Sequence, residues 1–598
     1  MESRTAVPLS GQASGSTTIA DLMGRAAQRF GDRVAITHKV AGEWRDVRYA
    51  ELGEIVLEIG RGLIDLGVRP GDRVALLCPT RPEWSQVDFA VASAGAVVVP
   101  IYPTNSAEEC EWVAGDSGAR VVVCEDARQL AKIRAVRGRL PDLETIVVID
   151  PSGDTDGAIP LEEVRTRGRA RDAAELAART AAVTRQDTFT IIYTSGTTGP
   201  PKGCVLSHGN YRDVVTMCQG RDTFAEHDVV YLFLPLAHSF ALLIQLVTFD
   251  VGSTLAYFGG DAARIIPELS EVRPTYLPSV PRIFEKLYTL VTAQADPAAI
   301  AGATQVGLAV RSLQAQGKPV PAELQAHFDR AEEQLFGRVR AAFGGNLDRA
   351  VTGAAPIAKE ILEFFFACGV PVLEGYGLTE TATVATASSL EDHRLGSVGR
   401  ALPGMEIRIS DDGEVLLRGP NVFQGYHGNA DASFGSVVDG WLQTGDLGRL
   451  DEDGYLYITG RKKDIIITSG GKNLTPANLE NDLKRSRWIS QAVMHGDRRP
   501  YPVALITLDG EEIGQFAREQ GLGEDVASLA REPAVHALVQ GVVDAANERY
   551  AQAERIKRFH ILDHDLSQET GELTPTLKVK RNVIAEKYAA VFDGLYTD

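Results

Sequence analysis

Residues 193–203 read YTSGTTGPPKG and combine hydroxyl side chains and glycines with a single lysine, Lys202. Glycines let the backbone approach a ligand closely, and hydroxyl and N–H groups donate hydrogen bonds to phosphate oxygens. The segment follows the apolar run 189–192, which predicts a buried strand. Because α/β proteins bind ligands at the carboxyl ends of strands, we expect the loop to hold a polyphosphate there. A surface turn rich in Gly, Ser and Thr is the plainer alternative.

Two common nucleotide-binding motifs do not fit this chain. A P-loop has Gly directly before its lysine and Ser or Thr directly after it, whereas Lys202 lies between Pro201 and Gly203. The residues GYG at 375–377 are followed by LTE and lack the third glycine of the dinucleotide fingerprint. Nucleotide binding therefore remains the prediction, but the kinase, GTPase and dinucleotide-binding classes are disfavoured.

Length and charge narrow the class of protein. A chain of 598 residues exceeds one ordinary hydrophobic core, and its 44% apolar composition can fill at least two. The formal net charge of −19, together with the lack of a basic stripe, disfavours nucleic acid as a partner and disfavours binding to anionic lipid by bulk charge. We therefore expect a globular protein with more than one domain.

Cellular location and redox state are also indicated. The amino terminus lacks the charged start and apolar core of a secretory signal, which predicts a cytoplasmic protein. The apolar stretches 89–99 and 240–249 are too short to span a bilayer, so any membrane contact is expected to be peripheral. The six cysteines show no CxxC or Cys/His ligand spacing, which favours reduced core thiols and no structural metal.

The elements that must position the phosphate loop read as a layered α/β domain. Strand patterns at 73–77, 119–124 and 145–149 alternate with helical segments, which predicts a doubly wound fold with a buried parallel sheet. A polar leader at residues 1–17 precedes a predicted helix at 19–30.

Later segments predict an insertion and a second domain. The Ala-, Gln-, Glu- and Arg-rich stretch from about 287 to 343 predicts a helical insertion with a solvated or partner-facing surface. Gly460 and the charged cluster RKKD after it suggest a hinge between a large domain at 18–459 and a small α+β domain at 460–598. No internal repeat is evident.

Three further loops complete a recognisable set: GAAP at 353–356, EGYGLTE at 374–380 and GWLQTGD at 440–446. With residues 193–203 they resemble, in sequence order, the motifs of the adenylate-forming superfamily, and the resemblance covers most of the chain. The wording of residues 439–473 is most similar to bacterial long-chain fatty acyl-CoA synthetases. The resemblance implies a long-chain fatty acid:CoA ligase that uses ATP, Mg²⁺ and coenzyme A.

The implied reaction has two halves. A fatty carboxylate attacks the α-phosphorus of ATP to give acyl-AMP and pyrophosphate, and the thiol of coenzyme A then displaces AMP. Charge accumulates on phosphate oxygens in the first half, so catalysis should rest on positioning and electrostatic stabilisation. The resemblance assigns the phosphates to Thr194, Ser195, Gly196, Thr197, Thr198, Gly199 and Lys202.

Further roles follow from the same resemblance. Glu380 is the implied Mg²⁺ ligand, a hard oxygen donor beside the phosphates, and Thr379 is placed on the α-phosphate. A solvated glutamate in a first helical turn is the plain alternative for Glu380. Tyr376 offers an aromatic face to adenine, although core packing alone would also explain it. The nucleotide-binding set further includes Gly353, Ala354, Ala355, Pro356, Glu374, Gly375 and Gly377.

Asp446 matches the family aspartate that accepts hydrogen bonds from the ribose hydroxyls, and Arg461 matches the basic residue that meets the ribose or the phosphate. Either could instead belong to a surface ion pair. His238 corresponds to a position at the border of the carboxylate and acyl pocket, although a lone histidine is more often structural.

The carboxyl-terminal residues 572–581, ELTPTLKVKR, depart from the commoner Ser-Gly-Lys wording of the superfamily. Alignment with its Lys-x-x-Arg ending makes Lys578 the catalytic lysine that bridges the carboxylate and the α-phosphate, and leaves Lys580 as the alternative. A lysine supplied by a separate domain implies domain movement, with Lys463 as the implied hinge. Ser469 and Gly470 are then implied to line the pantetheine tunnel.

Rival functions share parts of this chemistry. A fatty acyl-AMP ligase would pass its adenylate to a carrier protein, and a medium-chain or aryl-CoA ligase would take other acids. No obvious insertion is present at the hinge, which favours coenzyme A as the acceptor. A nucleotide-binding regulatory protein is the non-enzymatic rival, and the joint presence of Lys202, Glu380, Asp446, Arg461 and Lys578 disfavours it.

Overall fold

The computed structural model describes residues 13–194, 200–221, 224–292, 295–469, 472–574 and 578–597. In these residues the chain forms a large layered α/β domain followed by a smaller α+β domain, which confirms the predicted fold class. The boundaries 18–459 and 460–598 stay predictions.

Two large sheets with parallel cores carry the α/β domain. The first has antiparallel pairs at both edges, and the second has them at one edge only. The first sheet contains, in spatial order, Arg400–Ala401, Thr386–Ala387, Val372–Tyr376, Arg349–Thr352, Tyr276–Ser279, Val229–Leu232, Thr254–Tyr257, Val34–Val40 and Glu43–Arg48. The second sheet contains Gly425–Tyr426, Lys202–Ser207, Thr188–Thr194, Val97–Ile101, Arg73–Leu77, Ala119–Cys124, Thr145–Val148 and Ile159–Pro160. The three strands predicted in this second sheet are confirmed to within one residue.

A third, smaller sheet is antiparallel and carries the GWLQTGD loop. Its strands are Glu406–Ile409, Glu414–Arg418, Trp441–Leu450, Val437–Val438 and Leu456–Arg461.

Helices cover the sheets because their apolar residues recur at helical spacing. The helix Ile19–Phe30 was predicted, and it begins where the main-chain N–H of Thr18 donates to Asp21 at 3.0 Å. The other α-helices of the large domain are Tyr49–Asp65, Pro82–Ser93, Ala107–Asp116, Ala127–Val136, Leu161–Ala170, Ala173–Ala182, His208–Gln219, Ser239–Val251, Ile265–Val272, Pro281–Thr292, Pro297–Ala315, Ala322–Ala331, Gly337–Ala342, Lys359–Cys368 and Ala430–Ser436. Each of the six cysteines is buried as a free thiol.

The predicted insertion is helical, but its first helix already begins at Pro281. One face of the region is buried rather than solvated, since Phe284, Phe336 and Phe343 pack in one core cluster with Phe365. This buried face comes from apolar residues at helical spacing within an otherwise polar composition. In the part of the chain that the structure describes, no helix combines the length and apolar character needed to cross a membrane.

The carboxyl-terminal domain has its own sheet and core. Its three-stranded sheet contains Ile489–His495, Val503–Leu508 and Arg558–Ile561, and a two-strand ribbon joins Ile466–Ile467 to Asn473–Leu474. Its α-helices are Pro476–Lys484, Gly510–Gln520, Val526–Leu529, Pro533–Asn547, Arg581–Lys587 and Ala589–Gly594.

The end of the predicted leader is packed onto the large domain. Ser14 and Ser16 are buried, and the hydroxyl of Ser14 donates a hydrogen bond to the buried carboxylate of Asp250. Asp250 also forms a fully buried ion pair with Arg212, with 3.0 Å between nitrogen and oxygen. Residues 14–16 of the predicted leader are therefore held by the large domain, because the polar side chain of Ser14 completes a buried polar cluster. Residues 1–12 of the predicted leader lie outside the described residues.

Candidate active site

The phosphate loop connects two antiparallel strands at the edge of the second sheet. Thr194 at the end of one strand pairs with Lys202 at the start of the next. The loop therefore follows the carboxyl end of a buried strand, as expected. The predicted phosphate contacts Ser195, Gly196, Thr197, Thr198 and Gly199 lie outside the described residues.

Lys202 and Glu380 both contact Tyr426, the lysine at its ring and the glutamate at its hydroxyl. The ammonium of Lys202 lies 5.3 Å from the centre of the Tyr426 ring. The Tyr426 hydroxyl donates to Oε1 of Glu380 at 2.7 Å. The structure thus brings the predicted phosphate lysine and the predicted metal ligand together through a tyrosine that the sequence analysis missed. A two-residue strand such as Gly425–Tyr426 has no periodicity that could have indicated it.

Thr379 and Glu380 occupy a single 3₁₀ turn whose backbone is tightly held. The main-chain N–H of Phe423 donates to the carbonyl of Glu380 at 2.8 Å. The preceding glycine, Gly377, is required sterically, since a Cβ there would lie 2.3 Å from the carbonyl oxygen of Thr383. The turn that carries the carboxylate is therefore fixed by packing as well as by hydrogen bonds.

The GAAP and EGYGLTE loops leave neighbouring parallel strands of the first sheet. Thr352 pairs with Glu374, so Gly353 lies directly beside Gly375, and a Cβ at Gly353 would stand 3.1 Å from the carbonyl oxygen of Gly375. Burial raises the pKa of the Glu374 carboxyl to about 8. Ala354 has a left-handed backbone with φ of 66°. The loop residues Ala354, Ala355 and Pro356 are exposed.

Asp446, Arg461 and Tyr376 form one hydrogen-bonded group. Asp446 pairs with Arg461 across the third sheet, and Nε of Arg461 lies 2.9 Å from Oδ1. The Tyr376 hydroxyl donates to Oδ2 of the same carboxylate at 2.7 Å. Burial and the charge of Asp446 raise the pKa of Tyr376 well above its ordinary value, so its hydroxyl stays protonated. Asp446 is only 3% exposed, so its two oxygens accept these hydrogen bonds in a largely desolvated position.

Lys578 reaches this group from the small domain. Leu573 and Val579 form an antiparallel bridge, and the main-chain N–H of Thr574 donates to the carbonyl of Lys578 at 2.8 Å. Burial and the positive charge of Arg461 lower the pKa of Lys578 to about 8, while the charges of Asp446 and Glu380 act in the opposite direction. The alternative, Lys580, directly precedes the helix Arg581–Lys587. The described electrostatics therefore favour Lys578 as the lysine that faces the candidate site.

His238 lies at the start of the helix Ser239–Val251, close enough to Lys578 to be influenced by its charge. The main-chain N–H of Phe240 donates to Nδ1 of His238 at 3.2 Å. Burial and the charge of Lys578 lower the pKa of His238 to about 3, so the ring is neutral. Because Nδ1 accepts a hydrogen bond, the proton resides on Nε2. The structure thus places a neutral donor within electrostatic range of the predicted catalytic lysine.

The predicted hinge residue Lys463 follows Arg461 by two residues, and both Lys463 and the predicted tunnel residue Ser469 are exposed. Lys463 is in the 3₁₀ turn Lys462–Asp464. The main-chain N–H of Ser469 donates to the carbonyl of Arg499 at 2.9 Å. Gly470 lies outside the described residues, and the hinge and tunnel roles stay predictions.

Several ion pairs join the domains at a distance along the chain from the predicted hinge, and two of them have the shortest contacts. Arg282 of the large domain lies 3.0 Å from Asp509, and Arg485 of the small domain lies 3.0 Å from Glu360. Both pairs are partly exposed, so each is expected to contribute about 0–1 kcal/mol. Contacts of this strength do not lock the two domains together.

Comparison with protein families decides the classification. The family described as AMP-binding enzyme matches residues 23–427, more than half of the chain. The chain belongs to the AMP-binding enzyme family. The C-terminal domain described for AMP-binding enzymes matches residues 463–598. The resemblance inferred from the loop motifs is thereby confirmed.

Individual relatives agree with this membership. The chain is 40% identical over 578 residues to the long-chain-fatty-acid–CoA ligase FadD15 of Mycobacterium bovis, and the match covers 94% of each chain. An anthranilate CoA ligase, AuaEII, in complex with anthranoyl-AMP has a similar structure, with a TM-score of 0.75, 22% identity and coverage of 98% of this chain and 99% of that one. A fatty acyl CoA synthetase of Mycobacterium tuberculosis has a TM-score of 0.62 at 24% identity, with coverage of 96% and 99%. The two structural matches support the fold.

Proposed function

We propose that this protein is a long-chain fatty acid:CoA ligase that forms acyl-AMP from ATP and then the CoA thioester. The observation that carries the proposal is the hydrogen-bonded group of Asp446, Arg461 and Tyr376, whose charged members also act on the buried Lys578. The long-chain preference is supported by the name of the 40% identical mycobacterial relative.

The residues of the site fit ATP and Mg²⁺. Asp446 already accepts from Tyr376 and Arg461, and the ionised carboxylate has further lone pairs for the two ribose hydroxyls. Mg²⁺ beside a nucleotide is usually held by one or two carboxylates together with phosphate oxygens, and Glu380 supplies such a carboxylate. When bound, the metal would neutralise charge on the phosphates.

In the first half-reaction the chain's task is to hold two anions together. Lys202 and Thr194 lie at the base of the phosphate loop and would bind the β- and γ-phosphates. The ammonium of Lys578 would contact both the fatty carboxylate and the α-phosphate, and so reduce their repulsion as the new bond forms. Preorganised donors of this kind contribute about 2.7–4 kcal/mol to catalysis.

His238 would orient the carboxylate from the other side. Its neutral ring can donate from Nε2 without adding a second positive charge beside Lys578. The following helix, Ser239–Val251, is buried over almost its whole length and is mostly apolar. Such a helix suits the wall of an acyl pocket, where each buried methylene contributes about 0.8 kcal/mol.

The second half-reaction requires a path for the thiol of coenzyme A. We propose that the small domain turns about Lys463, which would withdraw Lys578 and bring Ser469 and Gly470 to the pantetheine. The weak, partly exposed pairs Arg282–Asp509 and Arg485–Glu360 are compatible with such exchange. Support for coenzyme A as the acceptor comes from the named relative.

The test is an assay of the purified enzyme with ATP, Mg²⁺ and CoA across saturated fatty acids of increasing length, with benzoate as a competing acid. We expect AMP and acyl-CoA to form together, with the highest kcat/KM for long chains, and Lys578→Ala to lose acyl-AMP formation. Acyl-AMP without thioester would redirect the proposal to a carrier-protein acceptor. Background ATP–pyrophosphate exchange with every acid would reject the enzyme assignment.

A further inference from the structure

Tyr426 lies between two groups that the proposed chemistry requires to act together. Its strand pairs with the strand Lys202–Ser207, and in this register Tyr426 is opposite Cys204. Antiparallel partners point to the same face, as do residues two apart on one strand. Lys202, Cys204 and Tyr426 therefore share the face that looks towards Glu380.

Contacts on both sides of this face agree with the register. On one side, Oγ1 of Thr194 lies 3.9 Å from Sγ of Cys204. On the other side, Tyr426 donates to Glu380 at 2.7 Å while its ring lies under the Lys202 ammonium at 5.3 Å. One aromatic side chain thus contacts an anion through its hydroxyl and a cation through its ring.

Main-chain hydrogen bonds and ring packing fix the position of Tyr426. Its main-chain N–H donates to the hydroxyl of Ser433 at 2.8 Å. The neighbouring Phe423 donates its N–H to the carbonyl of Glu380 at 2.8 Å and packs against the Tyr426 ring edge-on, with 4.9 Å between ring centres. The segment 423–426 therefore connects the turn of Glu380 to the strand of Lys202.

We propose that Tyr426 is a positioning residue that fixes the Glu380 carboxylate for Mg²⁺ and holds Lys202 in register with it. The inference rests on the proposed adenylation function. A glutamate side chain has several rotatable bonds, and a charge-assisted hydrogen bond to one oxygen limits them while the second oxygen stays available to a metal. A neutral tyrosine can do this without competing with the metal for charge.

The two contacts of Tyr426 predict two separable effects. Tyr426→Phe removes the hydroxyl but keeps the ring beneath Lys202, so only the metal should be affected. Tyr426→Leu removes the ring as well, so binding of the triphosphate itself should also weaken. Loss of an outer-shell partner typically lowers metal affinity about 10–100-fold. Loss of a partly exposed cation–π contact corresponds to about threefold in affinity.

The experiment is calorimetric titration of a non-hydrolysable ATP analogue into the full-length protein at a series of Mg²⁺ concentrations, without fatty acid. We expect Tyr426→Phe to need about tenfold more Mg²⁺ for the same gain in analogue affinity, with Mg²⁺-free affinity unchanged. Tyr426→Leu should also weaken Mg²⁺-free binding about threefold. A melting curve and a titration with AMP verify that each variant is folded. AMP binding is proposed to depend on Asp446 rather than on Tyr426, so it should be unchanged in both variants.

Tyr457→Phe is the matched control, because it removes a tyrosine–carboxylate hydrogen bond of 3.2 Å to Asp451 elsewhere in the large domain. A folded Tyr426→Phe protein whose Mg²⁺ requirement equals that of the wild type would overturn the inference, and so would an equal shift in the control. Acyl-AMP formation by the wild type is measured in parallel. If the wild type forms no acyl-AMP, the proposed function is rejected. That outcome is distinct from the result for Tyr426, which is measured by binding alone.

Discussion

The pKa of Lys578 makes the proposed first half-reaction sensitive to pH in a range where an ordinary lysine would not respond. Burial and Arg461 lower this pKa from its ordinary value of 10.5 to about 8. The ammonium is the form that attracts the carboxylate and the α-phosphate, so it is present below pH 8 and lost above it. Acyl-AMP formation should therefore fall as the pH rises through 8.

The size of the fall follows from the titration of one group. With a pKa of about 8, about nine in ten free enzyme molecules carry the ammonium at pH 7 and about one in ten at pH 9. The value of kcat/KM reports the free enzyme, so it should drop about tenfold between these two pH values. Lys578→Ala should lose about 100-fold or more at pH 7, as removal of a preorganised donor does.

The assay is ATP–pyrophosphate exchange at low ATP concentration with one long-chain acid, from pH 6.5 to 9.5. Lys578→Arg provides the sharpest comparison, because a guanidinium stays charged throughout and should abolish the basic limb of the profile. Lys580→Ala is the control and should keep the wild-type profile. A wild-type kcat/KM that stays level up to pH 9.5, or the same limb in Lys578→Arg, would refute the assignment of this limb to Lys578.

Three further predictions test other parts of the site. Gly377→Ala should lower the free energy of unfolding by about 1–3 kcal/mol, since the new Cβ would lie 2.3 Å from a main-chain oxygen. Thermal or urea unfolding measures this loss. The control Gly435→Ala, whose Cβ would meet open space, should leave the stability unchanged. Asp446→Asn should weaken AMP binding about tenfold in calorimetry because charge-assisted hydrogen bonds are lost, and an unchanged affinity would contradict the ribose role. Arg282→Gln removes the 3.0 Å contact with Asp509 and should slow adenylation relative to thioesterification by up to about fivefold. The two half-reactions are measured separately. An unchanged ratio of their rates would mean that this ion pair does not favour the domain arrangement used for adenylation.

Much of the fold could be predicted because its strands are continuous apolar runs. The segments 73–77 and 119–124 carry such runs and were predicted with the bounds that the structure has. Parallel strands buried on both faces produce this pattern directly. The small strand Gly425–Tyr426 has no comparable signal, since two residues cannot show periodicity. It was therefore missed, although it carries the side chain that links two predicted site residues.

Long-range polar contacts between side chains also could not be predicted from the sequence. Ser14 looks like part of a loose leader, yet it hydrogen-bonds to Asp250, 236 residues away. Alignment favoured Lys578 and left Lys580 as the alternative, and the charges around Lys578, which sequence could not supply, favour the same choice. Such contacts depend on how separate elements pack, and neither composition nor spacing along the chain encodes that directly.

Lys578 has a lowered pKa before any substrate binds. Burial and the positive charge of Arg461 lower this pKa, while the charges of Asp446 and Glu380 act in the opposite direction. A nucleotide triphosphate would bring several negative charges to the same place, which favours the protonated lysine. We therefore expect ATP binding to raise the pKa of Lys578, and by linkage the protonated enzyme to bind ATP more tightly. The catalytic ammonium would then be most fully formed when the phosphates that it must stabilise are present.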